Sequence, residues 1–403
     1  MEKLAVDGGT PVFGEKKIRD FFPSWPIPYP ETKEKLIEVF ESGKWGMCDK
    51  YEQLLMTEFA KYQGAKYSVW MCNGTTTLEC SLLALGIGPG DEVIVPDITW
   101  LATAEAALYV GATPVLVDVD PETMCMDPAA FEAAITPRTR VVIPVHIYSG
   151  LADMPRIKEI AKRHNIFVIE DCAHAHGSRQ KGIGVGCHGQ VGSFSFQLSK
   201  LMTGGEGGCC ITSDEELFDK IFRLSHIGSS RLHPGVPPDP SLLCRQYRLT
   251  DFQAAIIYDQ LQHQPEVFEK RTANLKKFEE LLRGVPGVRL QKSAYEDDER
   301  GAYFFTMILQ PEELHPGITR NEVRIALAAE GFEGLFGGWG FPLHKMPLWN
   351  IPPEKYILKD TPVCEKLMTK QVLVCGHQML LGTAEMVELA AAAVRKVMSA
   401  YAG

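Results

Sequence analysis

The sequence predicts an α/β fold: a mainly parallel sheet of seven strands flanked by helices, followed by a smaller C-terminal α+β unit. Three observations predict it. Between about residues 67 and 213, short β-branched runs alternate with amphipathic helical stretches. The loops between them carry turn residues such as Gly88-Pro89-Gly90-Asp91 and Thr136-Pro137-Arg138. A long helical stretch over residues 250 to 282 then leads into a second, shorter series of elements. The 403 residues exceed what one hydrophobic core usually covers. We therefore expect a large unit over 1–255, with the N-terminal segment, and a small one over 256–403.

The strands are predicted at 67–71, 92–95, 113–117, 141–145, 166–169, 192–196 and 208–212. In the second unit a strand is expected near 303–309, a helix near 320–330 and a terminal amphipathic helix near 383–401. Residues 231–243, with four prolines, read as an irregular surface loop.

Composition narrows the function classes. The 41 basic and 51 acidic residues leave a net charge of −10, which disfavours a general nucleic-acid or anionic-membrane binder. Eleven scattered cysteines without any C-x-x-C pair match neither zinc nor iron-sulfur spacing. No apolar run approaches the ~18 residues of a membrane helix, and the N-terminus lacks the apolar core of a leader, so a cytoplasmic location is expected.

Four strand ends carry candidate chemistry. Asn73-Gly74-Thr75-Thr76-Thr77 follows the first strand and opens a helix, the arrangement of an anion site; Thr75 as a plain helix cap reads equally well. Glu170-Asp171-Cys172-Ala173-His174-Ala175-His176 ends a buried strand in a carboxylate suited to pair with a cation, such as a pyridinium nitrogen. By itself this segment also reads as a metal site or a structural network. Phe194-Ser195-Phe196-Gln197-Leu198-Ser199-Lys200 precedes the glycine-rich turn 204–208, so little side-chain bulk competes with a planar ligand beside Lys200. Trp100 offers a flat stacking face, or is an ordinary half-buried tryptophan. An aldehyde cofactor needs an amine for a Schiff base, an acid for its ring nitrogen and a phosphate cradle, and these segments together supply all three. One decoy is set aside: Gly184-Val185-Gly186-Cys187-His188-Gly189 satisfies G-x-G-x-x-G, but no strand precedes it and no helix follows.

At these residues the chain resembles the DegT/StrS-type sugar aminotransferases, a branch of the fold-type-I pyridoxal-phosphate enzymes. The resemblance also runs through Gly8-Gly9-Thr10-Pro11, Gly205-Glu206-Gly207-Gly208, Tyr247-Arg248-Leu249-Thr250-Asp251-Phe252-Gln253 and Pro342-Leu343-His344. It implies pyridoxal 5'-phosphate as cofactor, with Lys200 as the Schiff-base lysine and Asp171 on the pyridine nitrogen. It places His174 beside the ring, Trp100 stacked on it, and Gly74, Thr75 and Ser195 on the phosphate. It also implies a homodimer in which an asparagine of the partner completes the phosphate site; this chain has Gln246 at that place.

Ser24-Trp25-Pro26, Pro144-Val145-His146 and Phe341-Pro342-Leu343-His344-Lys345 resemble the cyclitol branch, the glutamine-dependent scyllo-inosose and 2-deoxy-scyllo-inosose aminotransferases, with amino-hydroxybenzoate synthase beside them. Gly376-His377-Gln378 matches half of the paired-histidine cue of that branch. The implied reaction moves an amino group from L-glutamine or L-glutamate to a keto-cyclitol or keto-sugar, with a nucleotide-linked keto-sugar as the alternative acceptor. A dehydratase of this family carries histidine at the lysine position, which Lys200 argues against; a non-catalytic cofactor-binding regulator is the other rival.

Overall fold

A computed structural model describes residues 2–237 and 243–402. Two helices, α1 (Pro30–Ser42) and α2 (Lys50–Gln63), lead into β1 (Tyr67–Met71), α3 (Gly74–Ala84), β2 (Glu92–Pro96), α4 (Ala102–Tyr109) and β3 (Thr113–Val117). Then come α5 (Pro128–Ala134), β4 (Thr139–Val142), α6 (Met154–His164), β5 (Phe167–Asp171) and a short hairpin, β6 (Arg179–Gln180) with β7 (Ile183–Gly184). The first half closes with β8 (Val191–Ser195), β9 (Gly208–Thr212) and α7 (Glu215–Ser225). All seven expected strands form. Their ends move by a few residues: the fourth stops at Val142 and the fifth runs on to Asp171.

The large sheet has order β1-β9-β8-β5-β4-β2-β3-β12. The eighth strand, β12 (Ile357–Leu358), comes from the C-terminal part of the chain and pairs in parallel with β3. β9 alone runs antiparallel, between β8 and β1. The C-terminal ends of β1, β2, β5 and β8 therefore share one edge of the sheet, where open α/β sheets bind ligands. Both faces are covered. Val93 and Val95 pack with Leu78 and Leu82 of α3, while Ile94 between them packs with Phe131 of α5 and Ile157 of α6.

The helix α8 (Asp251–Leu282) crosses between the two sheets, and the boundary expected after residue 255 falls inside it. Its start follows from a capping box: the Thr250 side chain accepts from the Gln253 N–H while the Gln253 side chain accepts from the Thr250 N–H. The second sheet is β10 (Val288–Leu290), β11 (Phe304–Leu309) and β13 (Val372–Gly376), all antiparallel. Together with α9 (Arg320–Ala329), the short α10 (Pro362–Lys366) and α11 (Ala384–Tyr401), it completes the fold. Phe305 and Met307 of β11 share one apolar cluster with Leu275 and Phe278 of α8, Val323 of α9 and Val394 of α11. Leu4, Phe13 and Ile18 of the N-terminal segment join that cluster. The expected loop over 231–243 lies partly outside the described residues; its part at 231–237 forms neither helix nor strand. No helix among the described residues is long and apolar enough to cross a membrane.

Candidate active site

At the shared sheet edge lies a cavity of about 480 Å³. Seven of the eight residues singled out from sequence line it: Gly74, Thr75, Trp100, Asp171, His174, Ser195 and Lys200. Gln246 does not. It is exposed, on a segment that bridges to His226 and whose neighbour Tyr247 accepts a hydrogen bond from the Cys72 N–H.

The start of α3 builds one wall. Asn73 caps the helix by accepting from the Thr76 N–H at 2.9 Å. Only glycine fits next: a Cβ on Gly74 would stand 2.8 Å from the Ser195 Cβ, and one on Gly208 would stand 2.2 Å from the Asn73 carbonyl oxygen. This close approach of β8, β9 and α3 sets the helix N-terminus, with its outward N–H groups and positive dipole end, beside Ser195. The Thr77 hydroxyl, 2.6 Å from the Ser193 hydroxyl, ties the first turn of α3 to β8.

Asp171, the last residue of β5, is buried and accepts from the Thr103 hydroxyl at 2.8 Å and from the Ala173 N–H at 3.1 Å. Burial raises its pKa, and these two bonds and the nearby Lys200 oppose the rise. Each carboxylate oxygen takes one bond and keeps acceptor capacity. Burial likewise pulls Lys200 down to about 8, with Asp171 opposing. A lysine near that value has a sizeable neutral fraction at physiological pH, as a nucleophilic amine requires.

His174 lies flat on Tyr303, with centroids 3.8 Å apart and planes 11° apart. Its Nδ1 faces the Tyr148 N–H at 3.3 Å, and burial first, then the Lys200 charge, hold it neutral, well below the usual histidine range. The Lys200 ammonium nitrogen sits 4.8 Å from the centroid of the same Tyr303 ring. Trp100, 43% exposed, stands at the mouth 6.0 Å from Trp339.

Tyr303 and Trp339 line the cavity although sequence reasoning missed them. Tyr303 opened an expected strand, and Trp339 sits in Gly337-Gly338-Trp339-Gly340; neither position carries a local signal that links it to residues more than a hundred places earlier. Thr103 was missed as well. Its signal was legible: a hydroxyl one helical turn after Thr99, at another strand end.

His174 and His176 lie in the turns after β5 and part company. His176 turns away from the cavity, beside Phe194 and Phe196, with ring centroids 5.7 and 4.8 Å away. The glycine-rich decoy has a different task. Its Gly186, His188 and Gly189 N–H groups donate to the buried Glu170 carboxylate at 2.9, 2.7 and 2.7 Å. His344 bonds Asp97, just after β2, at 2.7 Å and so fastens the C-terminal part to the loop that bears Trp100.

The DegT/DnrJ/EryC1/StrS aminotransferase family model matches residues 28–393. The chain belongs to this family. Among its family relatives, an L-glutamine:2-deoxy-scyllo-inosose aminotransferase from Streptoalloteichus tenebrarius is 36% identical, with 98% of this chain and 97% of that protein aligned. The enzyme of the same name from Streptomyces kanamyceticus is also 36% identical, over 94% and 93%. Of solved structures, 3-amino-5-hydroxybenzoic acid synthase superposes with a TM-score of 0.83 at 29% identity, covering 94% of this chain and 99% of that one.

Proposed function

We propose that the protein transfers the amino group of L-glutamine to the ring carbonyl of a keto-cyclitol, with pyridoxal 5'-phosphate as cofactor. The observation that carries this reading is the meeting of Lys200, Asp171 and the α3 N-terminus in one cavity. The residues fit the cofactor. Gly74 and Gly208 let α3, β8 and β9 approach so closely that the free N–H groups of the α3 N-terminus stand beside Ser195 at the cavity wall, and Asp171 has acceptor capacity unspent.

In this reading Gly74, Thr75 and Ser195 hold the phosphate, and Gln246 reaches the same group in the partner subunit of a homodimer. Asp171 holds the ring nitrogen's proton, His174 flanks the ring and Trp100 stacks on it. When bound, the cofactor supplies an electrophilic carbonyl carbon and a ring that takes up the electron pair left on the substrate carbon. Lys200 provides the amine that anchors the cofactor. Once released by the amino donor, its neutral Nζ would take the proton from the donor's α-carbon and pass it, on the same face, to the cofactor's former carbonyl carbon, C4'.

The acceptor class follows from the wall. Among the described residues that line it, Lys200 is the one lysine or arginine, while Trp100, Trp339, Tyr303 and several hydroxyls make up much of the rest. Aromatic faces and hydroxyls suit an uncharged polyol ring better than a nucleotide diphosphate. The names of the relatives, glutamine-dependent cyclitol aminotransferases, support the same acceptor and donor. The reading carries with it a cytoplasmic enzyme and a role in making aminoglycoside-like compounds. It also keeps a large unit (1–255) and a small one (256–403), supported by the apolar cluster that one face of the second sheet forms with α8, α9 and α11.

The test supplies the cofactor-loaded protein with L-glutamine and either scyllo-inosose-type ketones or nucleotide-linked keto-sugars, and weighs the amino product by mass spectrometry. Amino-cyclitol is expected. Product from nucleotide-linked sugars alone would move the assignment to the alternative acceptor, and no amino product from any ketone would overturn it.

A further inference from the structure

Arg271 of α8 is 1% exposed, and no carboxylate pairs with it among the described residues. A buried unpaired guanidinium is costly, so its one side-chain hydrogen-bond partner among the described residues must have a task. That partner is His377, whose Nδ1 lies 3.1 Å from an Arg271 terminal nitrogen. Guanidinium can only donate, so the His377 Nδ1 accepts and carries no proton. In neutral His377 the proton then resides on Nε2, which lies 3.2 Å from the Ser199 carbonyl oxygen and donates to it. Burial first, then the Arg271 charge, keep this imidazole neutral.

The Ser199 carbonyl forms the peptide bond with Lys200. The preceding carbonyl, of Leu198, accepts from the Trp25 indole N–H at 2.9 Å. Trp25 also meets His377 edge-on at 4.6 Å and lies 5.4 Å under the Arg271 guanidinium. The Ser199 hydroxyl donates to the Gln197 side chain at 2.8 Å and accepts from the Tyr303 hydroxyl at 2.8 Å. Four distant parts of the chain, the N-terminal segment, α8, the start of β11 and the turn after β13, thus converge on the two residues before the lysine.

We infer that Arg271 and His377 are positioning residues: Arg271 fixes the His377 tautomer, and His377 with Trp25 pins the 198–199 carbonyls so that Lys200 projects into the cavity in one orientation. The inference rests on the reading of Lys200 as the reactive amine. A lysine without this clamp would sample rotamers away from the reacting atoms, and misplacement of about an ångström costs roughly a hundredfold in rate.

The substitutions follow from the imidazole's geometry. His377→Gln places an amide N–H near the Nε2 position, whereas His377→Leu keeps bulk and loses the donor. Arg271→Lys keeps a donor to Nδ1 and Arg271→Met removes it. Two readouts apply. In the cofactor-loaded protein, kcat and KM for the amino donor are separated. In the cofactor-free protein, competitive acetylation by acetic anhydride, read at Lys200 by peptide mass spectrometry across the alkaline range, reports the amine itself. The ionisable groups that feel or oppose the Lys200 charge are Asp171, His174, Tyr303 and, from outside the cavity, His176 and His377.

Expected are a fall in kcat of about ten- to a hundredfold for His377→Leu and Arg271→Met with little change in KM, and recovery to within about threefold in His377→Gln and Arg271→Lys. The Lys200 acetylation profile should shift in the first pair and not in the second. Equal behaviour of Gln and Leu at 377, or an unchanged profile in both apolar variants, would overturn the inference. Should the apolar variants fail to fold, Trp25→Phe keeps an aromatic ring but removes the indole N–H and part of the ring's bulk; an unaltered kcat and profile there would overturn the role given to the Leu198 bond and with it the clamp. If Lys200 of the unmodified protein shows no heightened reactivity at all, it is the functional reading that fails, not the clamp.

Discussion

Glu170 and Asp171 are consecutive, both buried, and both at the end of β5, yet their surroundings differ in kind. Strand alternation points them to opposite faces. Glu170 faces the 186–189 turn, which gives it three backbone N–H donors, and His146, whose Nε2 lies 3.3 Å away. Burial alone would push its pKa up, but the His146 bond, the nearby histidine charges and the Gly189 N–H outweigh it, and the pKa is lowered. Asp171 faces the cavity with two donors, and there burial wins. The count of donors separates a saturated structural carboxylate from one whose capacity is left for a ligand.

The contrast breaks at its strongest point if Asp171→Asn keeps its activity. We expect that variant to lose about a hundred- to a thousandfold in kcat for amino transfer while its melting temperature without cofactor stays the same or rises. Glu170→Ala should do the opposite. It leaves the turn's donors and His146 unmatched, and should cost about 3–5 kcal/mol in chemical denaturation.

The pH dependence of stability sharpens the same comparison. Glu170, with its folded pKa lowered, contributes stability that is present above the unfolded value near ~4.3 and is lost as pH falls through the folded value. Asp171, with its folded pKa raised, contributes stability below ~3.9 that is lost as pH rises through the raised value. Urea titrations of the cofactor-free protein should therefore show Asp171→Asn gaining on the unmodified protein as pH rises from strongly acidic, and the reverse drift for Glu170→Gln. The smallest effect is expected at the cavity mouth: Trp100→Leu removes a stacking face worth about 0.5–1.5 kcal/mol and should weaken cofactor binding by about two- to twelvefold in equilibrium titration.

Much of this was legible in the chain because it is local. Seven strands announced themselves by β-branched runs and turn residues, the helical stretch over 250–282 matched α8, and the fold brings seven of the eight chosen residues to one cavity. What escaped depends on long-range packing. β12 has two residues and too little pattern to read, and the reversed direction of β9 is set by its place between β1 and β8. Tyr303 and Trp339 reach the cavity only because the C-terminal part of the chain folds back on the large sheet. The G-x-G-x-x-G turn shows the converse: its backbone N–H groups do bind an anion, but the anion is the protein's own Glu170.

The amino transfer proposed for Lys200 and Asp171 can be followed by absorption. Protein loaded with pyridoxal 5'-phosphate is mixed with L-glutamine while its absorption is recorded, in parallel with Lys200→Ala. A band near ~420 nm is expected to give way to one near ~330 nm in the unmodified protein, with no such conversion in the variant. A band that L-glutamine and L-glutamate both leave unchanged, or an equally fast conversion in Lys200→Ala, would contradict it.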